Sequence, residues 1–194
     1  MKTEFEAKFT NITIAAIRVA LHAAGAKREE PMRLMRRAVI DTPELTKKNA
    51  FVRIRDEGNR ITVTYKQFDS LSIEGTKEIE IIVSDFNEAI ALFAAAGLSY
   101  TSFQESKRET WVLDAVEIAI DEWPWLDPYI EIEGNSEAQV RKVAKKLGFN
   151  WNDALFGDVM TAYRVQYPHL SEQDTIGYIP RVAFGDALPD LLRA

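Results

Sequence analysis

Residues 3–9, TEFEAKF, alternate from Glu4 onward between charged side chains and apolar ones. A period of two belongs to a β-strand, whose successive side chains point to opposite faces. One face then carries Glu4, Glu6 and Lys8, and the other Phe5, Ala7 and Phe9. Whether the charged face meets solvent or encloses something is decided by the charges on later strands.

Those strands repeat the pattern. In AFVRIRDEGNRITVTYKQF, residues 50–68, two alternating runs flank DEGN, a turn-forming connection that reads as a β-hairpin. Arg53 and Arg55 share a face on its first arm, and Lys66 shares one with Thr62 and Thr64 on its second. In GTKEIEIIV, residues 75–83, Glu78 and Glu80 oppose Ile79 and Ile81. A second hairpin turns at Asp114–Ala115, with Arg108 on one arm and Glu117 and Asp121 on the other. In PYIEIEG, residues 128–134, Glu131 and Glu133 oppose Ile130 and Ile132.

A sheet with one wet face also alternates, and for any single strand that explanation suffices. Solvated faces mix Thr, Ser, Gln, Lys and Glu, whereas these strands place like charges two apart. Two arginines side by side repel unless an anion lies between them, and two glutamates call for a cation. A closed barrel with its charged faces inward meets both demands. Its cations are Lys8, Arg53, Arg55, Lys66 and Arg108; its anions are Glu4, Glu6, Glu78, Glu80, Asp121, Glu131 and Glu133. Carboxylate clusters suit hard divalent ions such as Mg²⁺ or Mn²⁺, while arginine forks and lysine suit phosphate oxygens. A metal-bound polyphosphate neutralises both sets.

Helices fill the intervals. NITIAAIRVALHAAGA, residues 11–26, has helical spacing at Ile14, Ile17, Leu21 and Ala24, a cap at Asn11 or Thr13 and a stop at Gly25. SDFNEAIALFAAAGL, residues 84–98, and NSEAQVRKVAKKLG, residues 135–148, read the same way. A strand is expected near Leu34–Asp41, a further helix over 152–166, and an irregular tail with Pro180 and Pro189. The outline is a mainly β (α+β) chain of eight strands, with residues 1–148 as barrel and helices and 149–194 as a helical extension packed on it.

The order of these strands resembles the CYTH superfamily, the triphosphate tunnel metalloenzymes. Glu4-Phe5-Glu6-Ala7-Lys8 matches its ExExK signature; FVRIRDEG, ITVTYK, KEIEIIV, SKRETW and EIAIDEWPWLDPYIEIEG resemble its later strands in order. The resemblance covers about residues 1–148 and implies an eight-stranded antiparallel β-barrel closed into a tunnel. It implies that Glu4, Glu6, Glu131 and Glu133, with Asp121, organise metal ions, and that Lys8, Arg53, Arg55, Lys66 and Arg108 hold a triphosphate. Glu78 and Glu80 are assigned charge balance. Two departures stand out. Relatives often read Lys-x-Arg in the basic strand, but here Ser106 precedes Arg108 and Lys107 has the opposite parity. One phosphate contact is therefore missing or supplied from elsewhere. Leu126-Asp127-Pro128 replaces a turn that often carries Gly after Leu.

The implied chemistry is phosphoryl transfer from tripolyphosphate, ATP or thiamine triphosphate. It is either hydrolysis at the terminal phosphorus or cyclisation of ATP to cyclic AMP and pyrophosphate, as in class IV adenylate cyclases. A non-catalytic polyphosphate or nucleotide sensor is the third reading; the paired carboxylates oppose it. Hydrolysis is preferred because it needs no nucleoside pocket. Composition agrees with a small-molecule partner. The net charge of −6 opposes a general nucleic-acid or membrane-surface binder. The lack of cysteine excludes disulfides, thiolate metal sites and thiol catalysis. The apolar run 12–26 is broken by Arg18 and His22, so it does not read as a bilayer span, and no signal peptide is visible; a cytoplasmic monomer or homodimer is expected. His22 and His169 read as structural, Trp123 and Trp125 as packing beside Pro124, and Arg141, Lys142, Lys145 and Lys146 as a solvated helix face.

Overall fold

The computed structural model describes residues 1–193. Its barrel strands are β1 (Lys2–Phe9), β2 (Lys27–Ile40), β3 (Ala50–Asp56), β4 (Ile61–Phe68), β5 (Thr76–Val83), β6 (Ser102–Leu113), β7 (Val116–Trp123) and β8 (Leu126–Gly134). They follow each other around the barrel as β2-β3-β4-β5-β1-β8-β7-β6, and β6 pairs back onto β2. Every pair among these eight is antiparallel. The barrel is therefore closed, which removes the sheet edges an open sheet would expose.

Parity around the barrel is as the alternation requires. Glu4, Glu6 and Lys8 point inward, while Ala7 and Phe9 lie in the outer apolar layer with Trp111, Ile118 and Ile132. Helices α1 (Ile14–Ala24) and α4 (Glu137–Lys146) cover that layer through Ile17, Leu21, Val140 and Val143. Helix α3 (Phe86–Ala95) covers Ile54 and Val63 with Phe86 and Ala89. Each of the larger apolar side chains here contributes about 1.5–3 kcal/mol on burial. Thr13, Asp85 and Ser136 cap these helices by accepting N–H bonds from Ala16, Glu88 and Gln139. Asn11 is not the cap. The short α2 (Pro43–Thr46) turns the chain from β2 to β3.

Two expectations are corrected. β2 starts at Lys27, not near Leu34, because Pro31 sits inside register shifts between Arg28 and Arg33, where its missing N–H costs no ladder bond. The helix expected over 152–166 breaks into a 3₁₀ turn at Trp151–Asp153, an extended bridge of Leu155 to Lys8, and α5 (Met160–Gln166). The leucine joins the sheet by two backbone hydrogen bonds of 2.9 Å with Lys8. Beyond it lie two more 3₁₀ turns and β9 (Arg181–Val182), parallel to β6. The extension is thus only in small part helical. It packs Met160, Tyr163 and Ile176 onto Trp123 and Tyr129 at one end of the barrel. Among the described residues no helix is long and apolar enough to cross a membrane.

Candidate active site

The barrel encloses a cavity of about 300 Å³, within the range of small-ligand sites. Its two ends differ. Lys2, Arg60, Glu80, Glu117 and Glu133 line the end at the start of β1. Val39, Phe51, Phe68 and Trp123 line the other, where Gly157, Asp158, Met160 and Ile176 from the extension cover it.

Antiparallel register brings the expected residues together. Lys8 pairs with Glu131 and Glu6 with Glu133 across β1–β8; Lys66 pairs with Glu78 across β4–β5; Arg108 pairs with Asp121 across β6–β7. Lys8 Nζ sits 3.2 Å from Glu6, 3.1 Å from Glu131 and donates to the Gly157 carbonyl at 2.6 Å. Burial opposes its charge, but Glu131 and Glu6 outweigh burial and raise its pKa. Lys66 Nζ lies 3.0 Å from Glu4 and 3.5 Å from Glu6. Arg108 reaches Asp121 through Nε at 2.8 Å and Nη2 at 2.6 Å, and Glu131 at 3.0 Å. Burial pushes Glu131 up, yet Lys8 and Arg108 hold it well below the usual carboxylate range. Arg55 is paired with Glu57.

Other members have no such balance. Among the described residues Arg53 makes only a 3.4 Å bond to Thr64 and its Nε is buried without an acceptor; burial with Arg55 beside it lowers its pKa to about 10. Glu80 accepts from Thr64 at 2.8 Å. Burial, reinforced by Glu4, raises Glu78 to about 8. Burial, reinforced by Glu4, Glu131 and Glu6, raises Glu133 to about 7. Among the described residues its one ion-pair partner, Lys2, is 3.5 Å away and largely exposed. Against burial, Lys66 holds Glu4 below its ordinary value, although Glu4 Oε2 accepts no aligned hydrogen bond. These donors fit a hard divalent ion: all are carboxylate oxygens, some short of positive charge. Among the described residues no three already stand as a ready ligand cluster, because Lys8 and Lys66 lie between them.

Asp121 departs from its expected place among the metal carboxylates. It is 1% exposed, both oxygens accept from Arg108, and it stands behind that residue instead of on the cavity wall. Wall residues that were not anticipated include Asp158, Tyr129 and Arg37. Asp158 comes from the extension and accepts the Met160 N–H at 3.0 Å. Tyr129 is 2% exposed. Arg37 projects from β2 over the indole of Trp123, with its guanidinium 4.3 Å from the ring, and donates to Ser106. The gap at Ser106 was the available sign of Arg37, but Arg36 and Arg37 are adjacent and a short strand reading does not say which faces in. Trp123 thus packs, as expected, but against the cavity. Arg141, Lys142 and Lys146 of α4 pair with Glu137 and Asp114 on the outside. His22 packs on Trp111, and His169 lies 3.3 Å from the Leu191 carbonyl.

No curated protein matches the chain. Solved structures share its fold. One is a conserved hypothetical protein from Pyrococcus furiosus, 21% identical over 78% of this chain and 94% of that one, with a TM-score of 0.67. Another is an adenylate cyclase candidate from Vibrio parahaemolyticus, 12% identical over 82% and 96%, with a TM-score of 0.69. A third, an adenylyl cyclase candidate from Hippeastrum described as having a dominant triphosphatase activity, is 14% identical over 89% and 98%, with a TM-score of 0.50. The family model of the CYTH domain matches residues 2–154, the whole of the barrel that carries the charged strands. The chain belongs to the CYTH domain family.

Proposed function

We propose that the protein is a divalent-metal-dependent phosphohydrolase acting on a triphosphate inside the barrel. One observation carries this: two unfinished sets of charge share a cavity. Among the described residues Arg53 has no carboxylate in ion-pair contact, while burial and Glu4 raise Glu78 to about 8, and burial with Glu4, Glu131 and Glu6 raises Glu133 to about 7. A triphosphate completes the first set and a divalent ion the second.

Glu4, Glu6, Glu131 and Glu133 would hold the Mg²⁺ or Mn²⁺. When bound, the ion offsets phosphate charge and activates the attacking water. Lys8, Arg53, Arg55, Lys66 and Arg108 bind the phosphate oxygens and take up the charge that develops on them. Held on strands and shielded from water, these cations need little reorganisation during transfer. Asp121 is a positioning residue that fixes the Arg108 fork, as Glu57 does for Arg55. Glu80, which shares Thr64 with Arg53, balances the arginines; Glu78, neutral at pH 7, does so only once it is ionised. Gly157–Met160 and Thr175–Gly177 of the extension form a wall of the same cavity, so the extension belongs to the working unit.

Cyclisation of ATP is the second reading. Phe51 and Phe68, with ring centroids 6.2 Å apart, give one end of the cavity an apolar rim suited to an organic group. Product analysis with ATP and with inorganic tripolyphosphate, each with Mg²⁺ or Mn²⁺, separates the two. Metal-dependent release of phosphate is expected. Cyclic AMP with pyrophosphate would establish the second reading, and metal-dependent binding without turnover of either compound would leave a sensor.

A further inference from the structure

We propose that Arg37 is a triphosphate-binding side chain, gripping phosphate oxygens at the end of the cavity that the extension covers. The inference rests on the triphosphate reading above and assigns that site a further contact.

Arg37 stands on the inner face of β2, opposite Arg55 of β3 and Gln104 of β6. It is 8% exposed and lines the cavity. Asp121, a carboxylate close enough to act on it, is engaged by Arg108. Among the described residues Arg37 has no carboxylate partner, and its Nε is buried with no acceptor. Burial, with Arg53, Arg55 and Arg108 around it, drives its pKa down. A buried guanidinium without a counter-ion, among three others, is a costly arrangement for a ligand-free fold.

Packing alone does not explain it. An apolar side chain would cover the Trp123 ring without that charge. What the contacts do is aim the group: the guanidinium carbon lies over the indole, 4.3 Å from the ring centroid, and Ser106 holds Nη2. That leaves donors in a fixed fork, the geometry that matches phosphate oxygens. A structural anchor and an anion site predict opposite stability effects, because only the anion site is strained while empty.

The test uses Arg37→Gln and Arg37→Met, the latter keeping the contact with Trp123. Binding of inorganic tripolyphosphate with Mg²⁺ is measured by calorimetry, and unfolding is followed without ligand. Both variants should bind tripolyphosphate about 10- to 100-fold more weakly, the loss of a charge-assisted contact. Their ligand-free Tm should equal or exceed that of the wild type. Wild-type affinity in the variants overturns this inference alone. A ligand-free Tm lowered in both variants also overturns it, making Arg37 a structural anchor. A wild-type protein that does not bind tripolyphosphate overturns the triphosphate reading and this inference with it.

Discussion

Glu133 holds a proton to about pH 7 because it is half-buried among Glu4, Glu131 and Glu6 and, among the described residues, is paired only with an exposed lysine. If it is a metal carboxylate, Glu133→Gln should cut metal-dependent turnover by a factor of about 10² or more. The same change removes a source of repulsion. The metal-free variant should therefore be as stable as the wild type or more so, by up to about 1 kcal/mol. Turnover with Mg²⁺ and unfolding in a chelator check the two halves; unchanged turnover would remove Glu133 from the site. Residues like this were legible from alternation, because parity says which side chains share a face. Asp121 shows where that stops. Parity put it inward, but only the Arg108 fork reveals that its oxygens are taken. Arg37 shows the converse: its role depends on Trp123 and Ser106, which are remote in sequence and meet it only across the barrel.

The hairpin joining β6 to β7 turns on Asp114 and Ala115, both at positive φ, 53° and 62°. That is the twist a two-residue hairpin requires, but alanine adopts it at a cost of about 1–2 kcal/mol that glycine avoids. Ala115→Gly should stabilise the protein by about 0.5–1 kcal/mol, after glycine's greater chain entropy is deducted, and leave activity unchanged, since the turn lies away from the cavity. Denaturant unfolding measures the gain; a loss of stability would mean that the turn is already relaxed. The hairpins and capped helices were readable because their signals are local. The first part of β2 was not, since Pro31 argues against a strand and only the bulges against β6 accommodate it. Residues 152–166 mislead for a similar reason. Their apolar spacing suits a helix, while Leu155 is drawn into a backbone bridge with Lys8 that spacing does not report.

Across the whole molecule, one closed barrel concentrates opposite charges in a low-dielectric interior, and this makes stability depend on pH and metal together. The carboxyls of Glu78 and Glu133 have folded-state pKa values of about 8 and 7, above the ordinary 4.5. A carboxyl raised on folding favours the folded state while protonated. Its contribution is complete below about pH 4.5 and is lost as pH climbs through the folded value. The metal-free protein should therefore lose stability between pH 5 and pH 8.5, by about 2 kcal/mol after allowance for the solvent that still reaches Glu78. A divalent ion competes with those protons, so its affinity should rise over the same interval and the decline should flatten or reverse when Mg²⁺ is added. Thermal unfolding across that range, in chelator and in Mg²⁺, reads both effects. Parallel curves would show that the cation binds away from these carboxyls. A metal-free curve that rises with pH would show that the interior acids are ionised on folding, and that the barrel's cations already balance them without any ligand.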